Sequence, residues 1–231
     1  MKPDYPMLMT MAVSLLAAAA PGQTNNVAEA PHAAAPGQTN NVAETPPEAA
    51  GKEWAFYASV YGYIVPESRD YVNVNFSADR GWLHLEARYN YEALDTGSLW
   101  VGYNLSFGKE LVFDFAPTLG GVFGGLTGVA PGYNLALTYK HFSLSSQSEY
   151  VFDTDDSANN FFYTWSEITY APVEWFRAGI VIQRTKAYKS DLDIQRGFLV
   201  GTAYKKVDFT TYVFNLGWTD PTVVLAMGLS F

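Results

Sequence analysis

Residues Trp82–Phe107, WLHLEARYNYEALDTGSLWVGYNLSF, hold two runs of strict alternation joined by a short polar break. In the first run Leu83, Leu85, Ala87, Tyr89 and Tyr91 share one parity, and His84, Glu86, Arg88, Asn90 and Glu92 take the other. In the second, Leu99, Val101, Tyr103, Leu105 and Phe107 alternate with Ser98, Trp100, Gly102, Asn104 and Ser106. Side chains that alternate with a period of two sit on opposite faces of a β-strand. Each run therefore carries one apolar and one polar row. Full charges of both signs occupy the polar row of the first.

The pattern recurs from Trp54 to Phe231. Trp54, Phe56, Ala58, Val60 and Ile64 form an apolar row, broken by Pro66 and the polar residues that follow. Val72, Val74 and Phe76 form the next, ending at Ala78-Asp79-Arg80-Gly81. After Gly108-Lys109-Glu110 come Leu111, Phe113, Phe115 and Leu119, then a glycine-rich stretch, Gly120–Gly132, that reads as a flexible loop. Tyr133–Lys140, Phe142–Phe152, Phe162–Tyr170, Phe176–Gln183 and Phe198–Tyr204 alternate in turn. Val207–Trp218 is strand-like with ambiguous parity, and Val223, Leu225, Met227, Leu229 and Phe231 close the chain. The expectation is about twelve strands near the 9 to 11 residues that a tilted membrane strand needs. Breaks after even-numbered strands are tight and those after odd-numbered strands mostly longer. The fold class expected is all-β, a single antiparallel transmembrane β-barrel.

Composition agrees. Charged residues are 16% of the chain, against about 25% in ordinary soluble domains. Aromatics are also 16%, with sixteen Tyr. A net charge of −9 argues against a nucleic-acid partner, which requires a basic patch. The absence of Cys excludes disulfides, thiolate metal sites and thiol nucleophiles.

The first fifty residues differ. Met7–Ala20 is an apolar run behind Lys2, too short for a bilayer span of about 20 residues. It reads as the core of a secretory signal peptide covering 1–20, with Ala18-Ala19-Ala20 and Ala33–Ala35 as competing cleavage regions. Residues 21–53 contain a repeat: PGQTNNVAEA from Pro21 to Ala30 returns as PGQTNNVAET from Pro36 to Thr45. With almost nothing to bury, this stretch reads as a disordered spacer, His32 included. The barrel is then 54–231.

Alternation alone also fits a barrel with an apolar inside and a polar outside. Two features of the residues favour the membrane reading. The apolar rows end in Tyr89, Tyr91, Phe107, Tyr139, Phe142, Phe176 and Tyr204, as interfacial girdles do. The loop lengths are also asymmetric. A third feature is a resemblance: Val223–Phe231 looks like the closing strand of Gram-negative outer-membrane β-barrels. That resemblance covers about Trp54–Phe231 and identifies the class, without a subfamily. It implies contact with outer-membrane lipid and recognition of the last strand, with Phe231 as assembly signal, by the barrel-assembly machinery. It also implies short turns and both termini on the periplasmic side.

On this reading His84, Glu86, Arg88, Glu92, Trp100, Asp114, Lys140, Glu149, Glu167 and Arg177 line the lumen. The charges either pair structurally or form a path that selects a solute. Bulky inward Tyr57, Tyr61, Tyr63, Trp100, Tyr163 and Trp165 narrow the bore. Twelve strands lie between the roughly 8 that side chains fill and the 16 to 18 that leave an open channel. A narrow porin or channel for small solutes is the leading expectation, and a structural or surface-exposed barrel without flux is the alternative.

An enzyme is the least favoured expectation. His141-Phe142-Ser143 resembles the His-x-Ser arrangement of outer-membrane lipid hydrolases, with Glu149 as a third group, but these residues fall at a turn on the wrong side. Asp153, Asp155, Asp156, Asn159 and Asn160 offer oxygens for Ca²⁺, yet lack the glycine and final Glu of an EF-hand. The Gly120–Gly132 stretch has no Gly-Lys-Ser/Thr and is no phosphate cradle. No cofactor is called for.

Overall fold

The computed structural model describes residues 53–66, 68–187, 193–217 and 221–231. The signal peptide and the repeat-containing spacer, apart from Glu53, lie outside the described residues. So do most of the polar loop expected at 186–194 and the break at Thr219-Asp220.

The chain forms strands β1 (Ala55–Ile64), β2 (Tyr71–Arg80), β3 (Leu83–Tyr89), β4 (Thr96–Tyr103), β5 (Leu105–Gly108), β6 (Leu111–Gly124), β7 (Gly128–Tyr139), β8 (Phe142–Asp153), β9 (Phe161–Val173), β10 (Phe176–Ala187), β11 (Asp193–Tyr204), β12 (Val207–Phe214) and β13 (Thr222–Ser230). Apart from β4 and β5, which do not pair with each other, each pairs antiparallel with its sequence neighbours, and β1 pairs with β13, so the sheet closes on itself. β4 and β5 both pair with β6 in one continuous register, and together they make one strand of a twelve-strand barrel. The interruption at Asn104 has a local cause. Asn104 donates its N–H to Trp82 on the β3 side, so Tyr103 turns to β6. There the register sets it opposite Pro117, which has no N–H to give. Closure leaves no bare edge, as hydrocarbon demands.

The connections alternate. Two-residue turns at 81–82, 109–110, 140–141, 174–175 and 205–206 occupy one end of the barrel. At the other end the connections span 65–70, 90–95, 125–127, 154–160, 188–192 and 215–221. β1 starts and β13 finishes at the short-turn end, where Phe56 and Phe231 exchange backbone hydrogen bonds of 3.0 Å in both directions.

The faces sort by parity. Leu99 is 60% exposed on the outer wall, whereas Glu86 and Arg88 are each 4% exposed inside. Leu85, Val101, Ile168, Ile180 and Val200 share the outer wall. Aromatic rings gather at the short-turn rim: Trp82 stacks with Tyr103 and Phe107 with Phe113, and Phe142 lies tilted against Tyr170 at 4.9 Å.

Three expectations need correction. The stretch Gly120–Gly132 is not a loop: β6 runs through Gly124 and β7 begins at Gly128, leaving only residues 125–127 between them. Tyr91 is not part of the outer girdle. β3 ends at Tyr89, Asn90 turns to φ 56°, and Tyr91 is buried inside at 1% exposure. Lys140 does not line the bore. It takes φ 53° in the β7–β8 turn and lies exposed, its ammonium 5.1 Å from the Tyr139 ring centre.

Candidate functional site: the barrel interior

The interior divides into two halves. Near the short-turn end the inward side chains are small or polar. Ala116, Ala136, Thr138, Ser143 and Ser145 lie there with Tyr57, Asp114, Asn134 and Arg177, and most are half-exposed. This is a polar vestibule. Asp79 lies at its rim with its side chain 40% exposed. Its Oδ1 accepts from Asn104 Nδ2 at 2.7 Å and lies 2.8 Å from His84 Nδ1. On the strands that follow around the wall, the β1 Tyr57 hydroxyl donates to Asp208 on β12 at 3.2 Å, and Arg177 on β10 donates to the Thr210 hydroxyl at 2.7 Å. Glycines make this crowding possible. A Cβ at Gly228 would collide with the Tyr57 hydroxyl and the Asp208 carboxylate.

Towards the long-loop end the bore fills with aromatic rings. Tyr163 is 0% and Trp165 1% exposed. Trp165 stands edge-on to Tyr212 and Phe214, at 5.3 and 5.2 Å between centroids. Tyr91 meets Tyr163 at 6.0 Å and 83°. Val181, Leu199 and Val224 complete the layer with Leu126, whose loop tucks inward. Edge-to-face pairs of this kind add to the gain from burying 150–250 Å² per ring.

A charged bridge crosses this region. Arg88 on β3 donates through Nη1 to Glu149 on β8 at 2.7 Å and through Nη2 to Glu86 at 2.8 Å. β3 and β8 are not neighbours in the sheet, so this contact spans the bore. The guanidinium is sandwiched between Trp100 and Tyr91, at 4.2 and 4.3 Å from the ring centres. Glu92 comes from the 90–95 connection, not from a strand. Its Oε1 accepts from Ser98 at 2.6 Å and lies 3.6 Å from Arg88 Nη1. Trp165 Nε1 donates to Glu167 at 2.8 Å.

Of the residues singled out in the sequence, Glu86, Arg88, Glu92, Trp100 and Glu149 thus form one cluster, with His84 Nε2 3.6 Å from Glu86. Glu167 lies beneath Trp165. Asp114 and Arg177 belong to the vestibule, apart from the cluster. Two interior acids escaped the sequence reading. Asp79 falls in the sequence at the break Ala78-Asp79-Arg80-Gly81, but β2 runs on to Arg80 and its parity sends Asp79 inward. Asp208 lies on β12, whose parity was obscured because Tyr212 and Phe214 make its inner row aromatic too.

The other candidate arrangements do not come together. His141 is exposed at the β7–β8 turn with Nδ1 3.0 Å from the Ala171 carbonyl, whereas Ser143 Oγ faces Thr138 Oγ1 at 3.5 Å. Glu149 is held by Arg88 in the other half of the barrel. In the acidic loop Asp153 accepts from the N–H groups of Asp155 and Asp156 and from the Asn159 amide, and Asp156 caps Ala158. Their carboxylates order the loop backbone. Among the described residues no group of three metal-binding side chains is present.

No family model matches the chain, and no curated protein matches it. Solved structures do. A structure of the KdgM porin superposes with a TM-score of 0.55 at 12% identity, covering 76% of this chain and 99% of that one. The KdgM porin in complex with disordered oligogalacturonate gives a TM-score of 0.56 at 11% identity, covering 76% and 99%. At such identity the likeness concerns the fold. Closure of twelve strands, the apolar outer wall, the rim aromatics and this likeness give the chain the fold of an outer-membrane porin barrel.

Proposed function

We propose that the protein is a narrow outer-membrane porin or channel for small solutes. The observation that carries this reading is the polar vestibule, which ends at a charged constriction in a barrel of porin architecture. The short turns and both termini of the barrel then face the periplasm, where a secreted chain leaves its N-terminal spacer. The barrel-assembly machinery inserts the chain by its closing strand, with Phe231 stacked on Phe56 at 5.6 Å. The Arg88–Glu149 bridge and the aromatic layer make the narrowest part, so flux is low. The oligogalacturonate held by the KdgM porin is a chain of sugar acids, and among the described residues this interior carries more carboxylates than guanidiniums.

Planar-bilayer recording of folded, purified protein tests the reading. Small discrete conductance steps are expected, enlarged severalfold by Trp165→Ala or Tyr163→Ala, which remove bulk from the bore. Silence from both the native protein and these folded variants would exclude a channel. The second reading, a barrel with a structural or surface role and no flux, is favoured by the completeness of the aromatic layer. It would stand after such a result.

A further inference from the structure

The interior charge is lopsided. Among the described residues the vestibule carries Asp79, Asp114 and Asp208, and the constriction carries Glu86, Glu92 and Glu149, with Glu167 between them. Against these seven carboxylates stand two guanidiniums, Arg88 and Arg177, and the imidazole of His84. The lysines of the short turns (109, 140, 205 and 206) are exposed at the rim, outside the bore. Both guanidiniums are already engaged: Arg88 by Glu86 and Glu149, Arg177 by Thr210. Asp114 has no such partner and stands half-exposed in the vestibule. In the constriction Glu92 Oε2 and Glu149 Oε1 are fully buried with no hydrogen-bond partner. A buried carboxylate oxygen left unpaired is costly, and a cation is what would satisfy it. Rings of Asp and Glu are how cation-selective pores are built. A cleft lined by one sign of charge between low-dielectric walls raises the local concentration of the opposite ion by about 10- to 10³-fold.

We propose that this bore is selective for small positively charged solutes, inorganic cations and organic amines, and rejects anionic oligosaccharides. Asp79, Asp114 and Asp208 collect the cation at the periplasmic mouth, and the free oxygens of Glu92 and Glu149 receive it in the constriction. The proposal rests on the channel reading but is tested apart from it.

Two measurements separate the two claims. In planar bilayers under a tenfold KCl gradient, the reversal potential should move to the K⁺ side. Asp114→Asn should lower that preference, and Asp114→Lys should lower it further. Asp114 is the clean position because its side chain holds no internal hydrogen bond. Independently of flux, spermidine titrated onto the folded barrel should change the Trp fluorescence, with Trp100 beside Glu92. The affinity should fall about tenfold when Asp79, Asp114 and Asp208 are neutralised together, in protein whose folding is checked by heat-modifiable migration. Trigalacturonate should leave the signal unchanged. Absence of conductance with spermidine binding intact would overturn the channel and keep the cation site. Anion selectivity, or binding of trigalacturonate in preference to spermidine, would overturn the cation proposal and leave the channel standing.

Discussion

Arg88 carries more of the interior than any other single residue. It joins two walls of the barrel through separate nitrogens, and its flat guanidinium fills the gap between two rings. A lysine could match the charge but neither the fork nor the stacking. Removing one partner of a buried ion pair costs about 3–5 kcal/mol, because the other charges are left uncompensated. Arg88→Ala should therefore lower the unfolding free energy in lipid vesicles by about that much, measured by urea titration on gels. Arg88→Lys should recover part of the loss. A loss below about 1 kcal/mol would mean that the cluster behaves as a solvated surface pair. Alternation that holds unbroken from Leu83 to Tyr89 puts Arg88 on the row opposite Leu85 and Ala87. It failed for Tyr91 and Lys140 because each sits at or beyond the last residue of a strand, where one left-handed residue cancels the alternation.

At the scale of the element, β6 explains the largest misreading. Six glycines between 120 and 132 look like a loop, since glycine is depleted in strands. Here the glycines are partners of bulk. A Cβ at Gly120 would lie 2.5 Å from the Trp100 ring, so the indole lies flat on a bare strand. Gly121 points the other way, into a shallow apolar groove between Leu99, Val101, Leu119 and Val129, with nothing within 4 Å of its Cβ position. Two adjacent glycines thus have opposite expectations. Gly120→Ala should destabilise by about 1–3 kcal/mol through overpacking. Gly121→Ala should be neutral or stabilising by about 0.4–1 kcal/mol through the unfolded state. Denaturation midpoints of the two variants compare them directly, and equal shifts would contradict the orientation of β6. A single sequence carries no sign that Gly120 is the cross-strand partner of Trp100, so the pairing is not legible in it.

At the scale of the whole molecule, the all-β class, a closed barrel of about twelve strands and the asymmetry of its connections are readable from alternation and its breaks, whereas the parity of β12 is not. The division of the interior into a vestibule and an aromatic constriction was not, because it depends on which rows share a height, and that is set by register. Inward Tyr and Trp were visible one at a time, and their meeting in one layer was not. The central claim remains the sidedness of the wall, with apolar side chains towards lipid and polar ones towards the bore. The chain has no Cys, so single cysteines introduced into folded barrels in vesicles can be labelled without background. With a membrane-impermeant maleimide, Ser145→Cys should react from the short-turn side, whereas Leu99→Cys and Val101→Cys should be protected by lipid. Rapid labelling at positions 99 and 101 with protection at 145 would contradict the account.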